Sequence, residues 1–150
     1  MGIGYSIVCE KCGKHINLFA GCGMLYYNVL QEKTEEAKRG EHGQRLVELF
    51  RQYPDGVIDA MNMIYYCSGC RTIKCECSLD FYRRKNSESD ENDELPGPDE
   101  DEYVLVEKHE HNCEKCGKPM LDKARVTADM PVECPECGSI MGKIDMLMWD

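Results

Sequence analysis

Cysteines with one recurring spacing are the residues of this chain best suited to do chemistry. The chain has 11 cysteines, and eight of them form C-x2-C pairs, which are Cys9/Cys12, Cys67/Cys70, Cys113/Cys116 and Cys134/Cys137. This spacing lets two thiolates from one tight turn bind the same metal ion, and two such turns complete a tetrahedral four-cysteine site. The spacing therefore predicts metal binding through sulfur.

The order of the pairs along the chain predicts two ions, one in each half. The last two pairs are separated by 17 residues, a usual gap in a zinc ribbon. The first two are separated by 54 residues, and the longer gap adds only about 1 kcal/mol of closure entropy. We therefore predict that the first pair shares a site with the second, and the third with the fourth. Zinc is the predicted metal. Iron is the alternative, because Cys-Pro-x-Cys-Gly turns also hold the single iron of rubredoxin-like proteins.

The remaining cysteines leave a third site open. Cys22, Cys75 and Cys77 could bind an ion together with His15. The simpler interpretation, which we favour, is that Cys22 is a small core residue and that the other two cysteines belong to a strand.

Histidines also precede the third pair. His109 and His111 alternate just before Cys113, so they face one side of a strand and are candidates for a ligand or for a residue that supports one. A solvated strand edge is the simpler interpretation. A catalytic zinc keeps an open position, whereas four thiolates close the coordination sphere. The sequence therefore predicts a protein that is not an enzyme.

An acidic stretch divides the chain. Residues 86–102 are polar, acidic and interrupted by prolines, and predict a flexible linker. The predicted domains are an N-terminal zinc-ribbon lobe, 1–85, and a C-terminal zinc ribbon, 103–150. The first lobe carries an inserted helical pair at about 28–53.

Hydrophobic periodicity predicts the elements around the cysteines. Residues 29–39 and 44–53 have helical spacing, with Gly40 placed to end the first helix. Residues 57–66, 103–107 and 140–149 predict strands. The fold class is therefore small α+β, with two lobes of antiparallel strands and the helical pair inserted in the first.

Charge and composition restrict the partners and the location. The formal net charge is −10, and a strongly negative molecule is a poor generic binder of nucleic acid. The sequence shows no secretory leader and no apolar run long enough to span a membrane. A reducing cytoplasm, where thiols stay free to bind metal, is the predicted location. No pattern indicates an oligomeric state.

Motifs around the cysteines and near both ends of the chain form a recognisable set. They are Gly2–Tyr5, Cys9-x2-Cys12-Gly13, Gly21-x-Gly23-Met24, Tyr53–Gly56, Tyr66-Cys67-x2-Cys70, Cys134-Pro-x-Cys137-Gly138 and Met148–Asp150. This set resembles the motifs of uncharacterised bacterial zinc-ribbon proteins, with zinc-ribbon or rubredoxin-like turns. The resemblance implies a metal-binding fold and no particular activity. Cys75 and Cys77 are additional to its pattern.

Three functions compete. A metal-stabilised adaptor that binds another protein fits the closed sites and the tethered lobes best. A nucleic-acid-binding ribbon is the alternative, and its candidate contacts are Lys11, Lys14, Arg71, Lys74, Tyr82, Arg83, Arg84 and Lys85. Rubredoxin-like electron transfer is the third function, and it requires iron instead of zinc.

Overall fold

The computed structural model describes residues 2–85 and 97–149, which contain two helices and eleven strands. The elements are β1 (Gly2–Val8), β2 (His15–Gly21), α1 (Tyr26–Arg39), α2 (Gln44–Gln52), β3 (Val57–Ile58), β4 (Asn62–Cys67), β5 (Thr72–Cys77), β6 (Phe81–Arg84), β7 (Tyr103–Glu107), β8 (Leu121–Lys123), β9 (Val132–Glu133), β10 (Ile140–Met141) and β11 (Lys143–Trp149). The pairs β1/β11, β1/β2, β2/β4, β4/β8, β9/β10, β3/β6 and β6/β7 are antiparallel. The predicted α+β fold class is confirmed.

Contacts between residues divide the chain into two compact units. The sheet unit contains Met1–Gly23, Asn62–Glu76 and Glu110–Asp150, and the helical unit contains Met24–Met61 and Cys77–His109. Each unit therefore draws on both sides of the acidic stretch, and the units do not coincide with the predicted division into 1–85 and 103–150.

The sheet unit is built around β1. Its sheet has the order β11–β1–β2–β4–β5, and β8 pairs with the free part of β4. Side chains alternate across a strand, so Tyr5 and Ile7 of β1 both enter the core, where they meet Leu18 of β2 and Ile64 of β4. This apolar layer fixes the register of the strands that lead into the cysteine turns.

The helical unit packs α1 and α2 near a small sheet with the order β3–β6–β7. Leu46, Leu49 and Phe50 recur at helical spacing along α2 and enter the same core as Phe81 of β6. The ring of Phe81 lies directly against Gly56, where a Cβ atom would overlap it. Glycine is therefore required in this turn by close packing.

Several predicted elements differ in their ends or partners. The helices are present, and α1 ends at Gly40 with φ of 87° as predicted. The predicted strand 57–66 breaks between β3 and β4, because the Asp59 carboxylate accepts the Met61 N–H at 2.9 Å and turns the chain. Residues 140–149 divide into β10 and β11 at Gly142. Strand β7 pairs with β6 in the helical unit instead of joining the C-terminal ribbon.

The predicted linker falls partly within the described residues. Residues 86–96 lie outside the described residues. Residues 97–102 lead into β7 through a turn in which the Asp99 carbonyl accepts the N–H groups of Glu102 and Tyr103.

Candidate metal centres

The four C-x2-C pairs form knuckles, numbered first to fourth along the chain, that share one backbone turn. The residue after the second cysteine has a positive φ in each: Gly13 (77°), Arg71 (56°), Gly117 (71°) and Gly138 (75°). Its N–H donates to the carbonyl of the first cysteine at 2.7–2.9 Å. Glycine adopts this conformation at little cost, so Arg71 is the exception among the four.

The knuckles combine crosswise into two sulfur clusters. The outer site contains Cys9, Cys12, Cys134 and Cys137, and the inner site contains Cys67, Cys70, Cys113 and Cys116. Within each site the four sulfur atoms lie within 4.8 Å of one another. All eight predicted cysteines are therefore brought together in fours. The predicted combination, first knuckle with second and third with fourth, is wrong.

Strand pairing explains the crosswise arrangement. The first knuckle begins where β1 ends, and β1 pairs with β11 so that Val8 lies opposite Lys143, shortly after the fourth knuckle. The second knuckle begins where β4 ends, and Tyr66 lies opposite Leu121, shortly after the third knuckle. In both cases the strand that enters one knuckle pairs with a strand that follows the other. The sheet register therefore determines which sulfurs meet.

The sulfur separations fit a single tetrahedral ion in each site. The Sγ atoms of Cys9 and Cys137 are 3.6 Å apart, and those of Cys67 and Cys116 are 3.7 Å apart. A tetrahedral zinc with Zn–S bonds of about 2.3 Å requires sulfurs roughly 3.8 Å apart, whereas a disulfide requires about 2.05 Å. The donor set of four thiolates suits zinc, and it suits a single iron as well.

One hydroxyl group supports a thiolate in each site. The Thr72 hydroxyl lies 3.3 Å from the Cys113 sulfur and is the main cause that lowers the pKa of that thiol to about 6. The Ser139 hydroxyl is the main cause that lowers the pKa of Cys137 to about 6. A lowered pKa keeps the sulfur ionised at neutral pH, as metal binding requires. The cysteine spacing alone did not reveal these two hydroxyls, although each lies two residues after the second cysteine of its knuckle.

Replacing the Thr72 hydroxyl is expected to weaken metal binding at the inner site. Thr72→Val keeps the shape of the side chain but removes the group that donates to Cys113, and groups of this kind typically contribute about 10- to 100-fold to metal affinity. Competition with a chromophoric chelator measures the change. Thr72→Ser retains the hydroxyl and is the matched control. Equal affinities in the two variants would contradict the role of the hydroxyl.

Metal affinity is expected to rise with pH between about 6 and 9. The Cys116 sulfur is the largest cause that raises the pKa of Cys70 to about 12. At Cys12 the Lys14 N–H lowers the pKa, but burial and the neighbouring sulfurs outweigh it and raise the pKa to about 12. A thiol must lose its proton before it binds an ion, so loading each site releases at least one proton. Affinity should increase by about tenfold per pH unit or more. Titrations at several pH values, corrected for the chelator's own protonation, test this, and a flat profile would contradict it.

The predicted histidines are not members of either sulfur cluster among the described residues. His111 is buried beside the inner site, where its Nδ1 lies 3.0 Å from Glu76 and its ring stacks on Tyr65 at a centroid distance of 3.9 Å. His109 lies in the helical unit, and its N–H donates to Asp80. His111 therefore packs near the third knuckle without joining its donor set.

The third site is not formed by the residues that the structure describes. Cys22, Cys75, Cys77 and His15 make no cluster there. The Cys75 thiol donates to the Phe19 carbonyl at 2.7 Å, and burial raises its pKa. Cys77 packs against the core of the helical unit. The simpler interpretation is confirmed for Cys75 and Cys77, which lie in a strand. Cys22, predicted as a small core residue, is only partly buried.

Comparison with known proteins adds no relative. The chain matches no family model, no curated protein and no solved structure. The resemblance to bacterial zinc-ribbon proteins therefore remains a prediction, of which the structure supports the two tetracysteine clusters. Within the described ranges, neither helix is long and apolar enough to cross a membrane.

Proposed function

We propose that the protein binds two structural zinc ions and acts, without enzymatic activity, as a module that binds another protein. The observation that carries the metal-binding part is the pair of clusters in which four cysteine sulfurs lie within 4.8 Å of one another. Four thiolates fill the coordination sphere of zinc and leave no position for a substrate. A coordination sphere that is closed in this way indicates a structural role for the zinc ions.

An exposed apolar edge supports a protein partner. Strand β11 is at the end of its sheet, and Met146 and Met148 are 70% and 85% exposed. Phe19 and Leu147, which flank Gly4 on the other face, are also exposed. The edge of a sheet can add an extended segment of another protein as a further strand, and flexible methionines adapt to its side chains. We assign β11 as the docking edge for such a segment.

The edge is tested by charge substitution. Met146→Lys/Met148→Lys should abolish retention of a partner isolated with the full chain. Met24→Lys is the matched control, because Met24 is 86% exposed but lies in the helical unit. Binding of the partner should be unaffected by this control substitution. A partner that binds both variants equally would contradict the assignment of β11.

Nucleic-acid binding is the second candidate, and the contacts of four of its basic residues weigh against it. Lys14 lies 3.3 Å from Glu136, and Lys74 lies 3.2 Å from Glu76. The Arg84 guanidinium lies over the Tyr103 ring at 5.7 Å. Lys85 donates to the carbonyl of Glu100, within the acidic stretch. Binding to mixed oligonucleotides at low salt, lost at high salt, would favour this candidate over the adaptor.

Metal analysis decides between zinc and iron. Two zinc ions in a colourless protein are expected. A red protein with iron bound to thiolates would instead support rubredoxin-like electron transfer.

A further inference from the structure

Strand β9 joins the surroundings of the two metal sites. The Glu133 N–H donates to the Arg71 carbonyl at 2.9 Å. Arg71 directly follows Cys70 of the inner site, and Glu133 directly precedes Cys134 of the outer site. One backbone hydrogen bond therefore connects residues that are each next to a metal ligand of a different site.

Two side chains strengthen this connection. The Tyr66 hydroxyl, which belongs to a buried residue, donates to the Pro131 carbonyl at 2.7 Å. Tyr66 precedes the second knuckle, and Pro131 leads into β9. Lys115 of the third knuckle lies 3.4 Å from a Glu133 carboxylate oxygen. Both inner-site knuckles thus contact β9, the strand that directly precedes Cys134.

The hydrogen bond from Glu133 depends on an unusual conformation of Arg71. With φ of 56°, Arg71 has a left-handed backbone that non-glycine residues adopt only when their surroundings impose it. Closure of the second knuckle around an ion, with Cys67 and Cys70 bound together, imposes that turn. The same closure directs the Arg71 carbonyl towards β9. Removal of the ion would therefore relax the constraint on Arg71 and on its hydrogen bond with Glu133.

We propose that the inner and outer metal sites are coupled through β9, so that an ion in either site raises the affinity of the other. This inference rests on the proposed binding of metal at both sites. Coupling of this kind is reciprocal, because the free energy of loading both sites is independent of their order. The protein therefore holds its two ions cooperatively.

The experiment measures outer-site affinity in the full chain, with cadmium-113 as the probe ion, by NMR in competition with a chelator. Ablating the inner site with Cys113→Ser/Cys116→Ser should weaken the outer site by about tenfold, within the usual range of coupling between sites. Glu133→Pro removes the donor N–H but suits an extended backbone. With an ion in the inner site, Glu133→Pro should reproduce most of that loss of outer-site affinity.

The matched control is Glu133→Ala, which loses the contact with Lys115 but keeps the N–H. It should weaken the outer site much less than Glu133→Pro does. Equal effects of the two substitutions would overturn the proposal, as would an outer-site affinity that the inner-site ablation leaves within about twofold. If the ablated chain does not fold, the two Glu133 variants decide the question with both sites intact. An unaltered chain that binds no metal would instead refute the proposed function.

Discussion

A chain with serine in place of all four cysteines of the first and fourth knuckles is expected to keep one metal ion. The substitutions Cys9→Ser, Cys12→Ser, Cys134→Ser and Cys137→Ser remove the outer site and leave the inner cluster complete. The same number of substitutions in the first and second knuckles should instead abolish tight binding of both ions. Each site would then retain only two thiolates, which cannot complete a four-cysteine site. Metal-to-protein ratios after dialysis against a weak chelator measure the difference.

The two variants form a matched pair, because each replaces two complete knuckles. If the knuckles instead combined in chain order, the first with the second and the third with the fourth, the result would be the opposite. The first variant would then bind no ion, and the second variant would bind one. That reversal would refute the crosswise arrangement. A metal content unaffected by either set would refute metal binding by these cysteines altogether.

Removal of both ions is expected to unfold the sheet unit while α1 and α2 remain formed. Both sulfur clusters lie in the sheet unit, and Cys9 and Cys134 belong to its buried core. Structural zinc contributes on the order of 10–16 kcal/mol in small finger peptides, as much as the whole stability of many domains. Hydrogen exchange should show that amides of β1 lose protection after chelation, while amides of α2 keep theirs.

A substitution in the helical unit provides the reciprocal control. Gly56→Ala forces a methyl group against the buried Phe81 ring and should destabilise that unit by about 1–3 kcal/mol. The variant should still bind two ions. Unchanged protection of β1 after complete removal of metal would show that the ions are not structural.

The parts of the fold that sequence predicted are those with local causes. Leu46, Leu49 and Phe50 recur at helical spacing, and Gly40 ends α1 in the left-handed conformation expected of it. The break after Ile58 was missed, because it depends on a hydrogen bond from Met61 to the Asp59 carboxylate that apolar periodicity does not report. The partner of β7 was missed because strand pairing depends on residues far apart in the chain.

The candidate sites likewise combine local features, which the sequence predicts, with non-local ones, which it does not. A knuckle is a local motif, so spacing alone identified all eight cysteines. The choice of partner is not local. The entropy of closing a longer loop disfavours joining Cys9 to Cys137 instead of Cys67 by less than about 1 kcal/mol. The seven residue pairs between β1 and β11 outweigh a term of that size. Thr72 and Ser139 could have been found by asking which hydroxyls follow a knuckle closely.

The crosswise arrangement has a consequence for how the protein is made. Cys12 and Cys134 are 122 positions apart, and ribosomes add roughly 5–20 residues per second. The first knuckle therefore emerges roughly 6–24 s before its metal-binding partner exists. During that interval its thiols are open to oxidation or to the wrong ion, and β1 lacks the neighbour that completes its hydrogen bonding. The outer site therefore cannot mature until the fourth knuckle has been made and has left the ribosome.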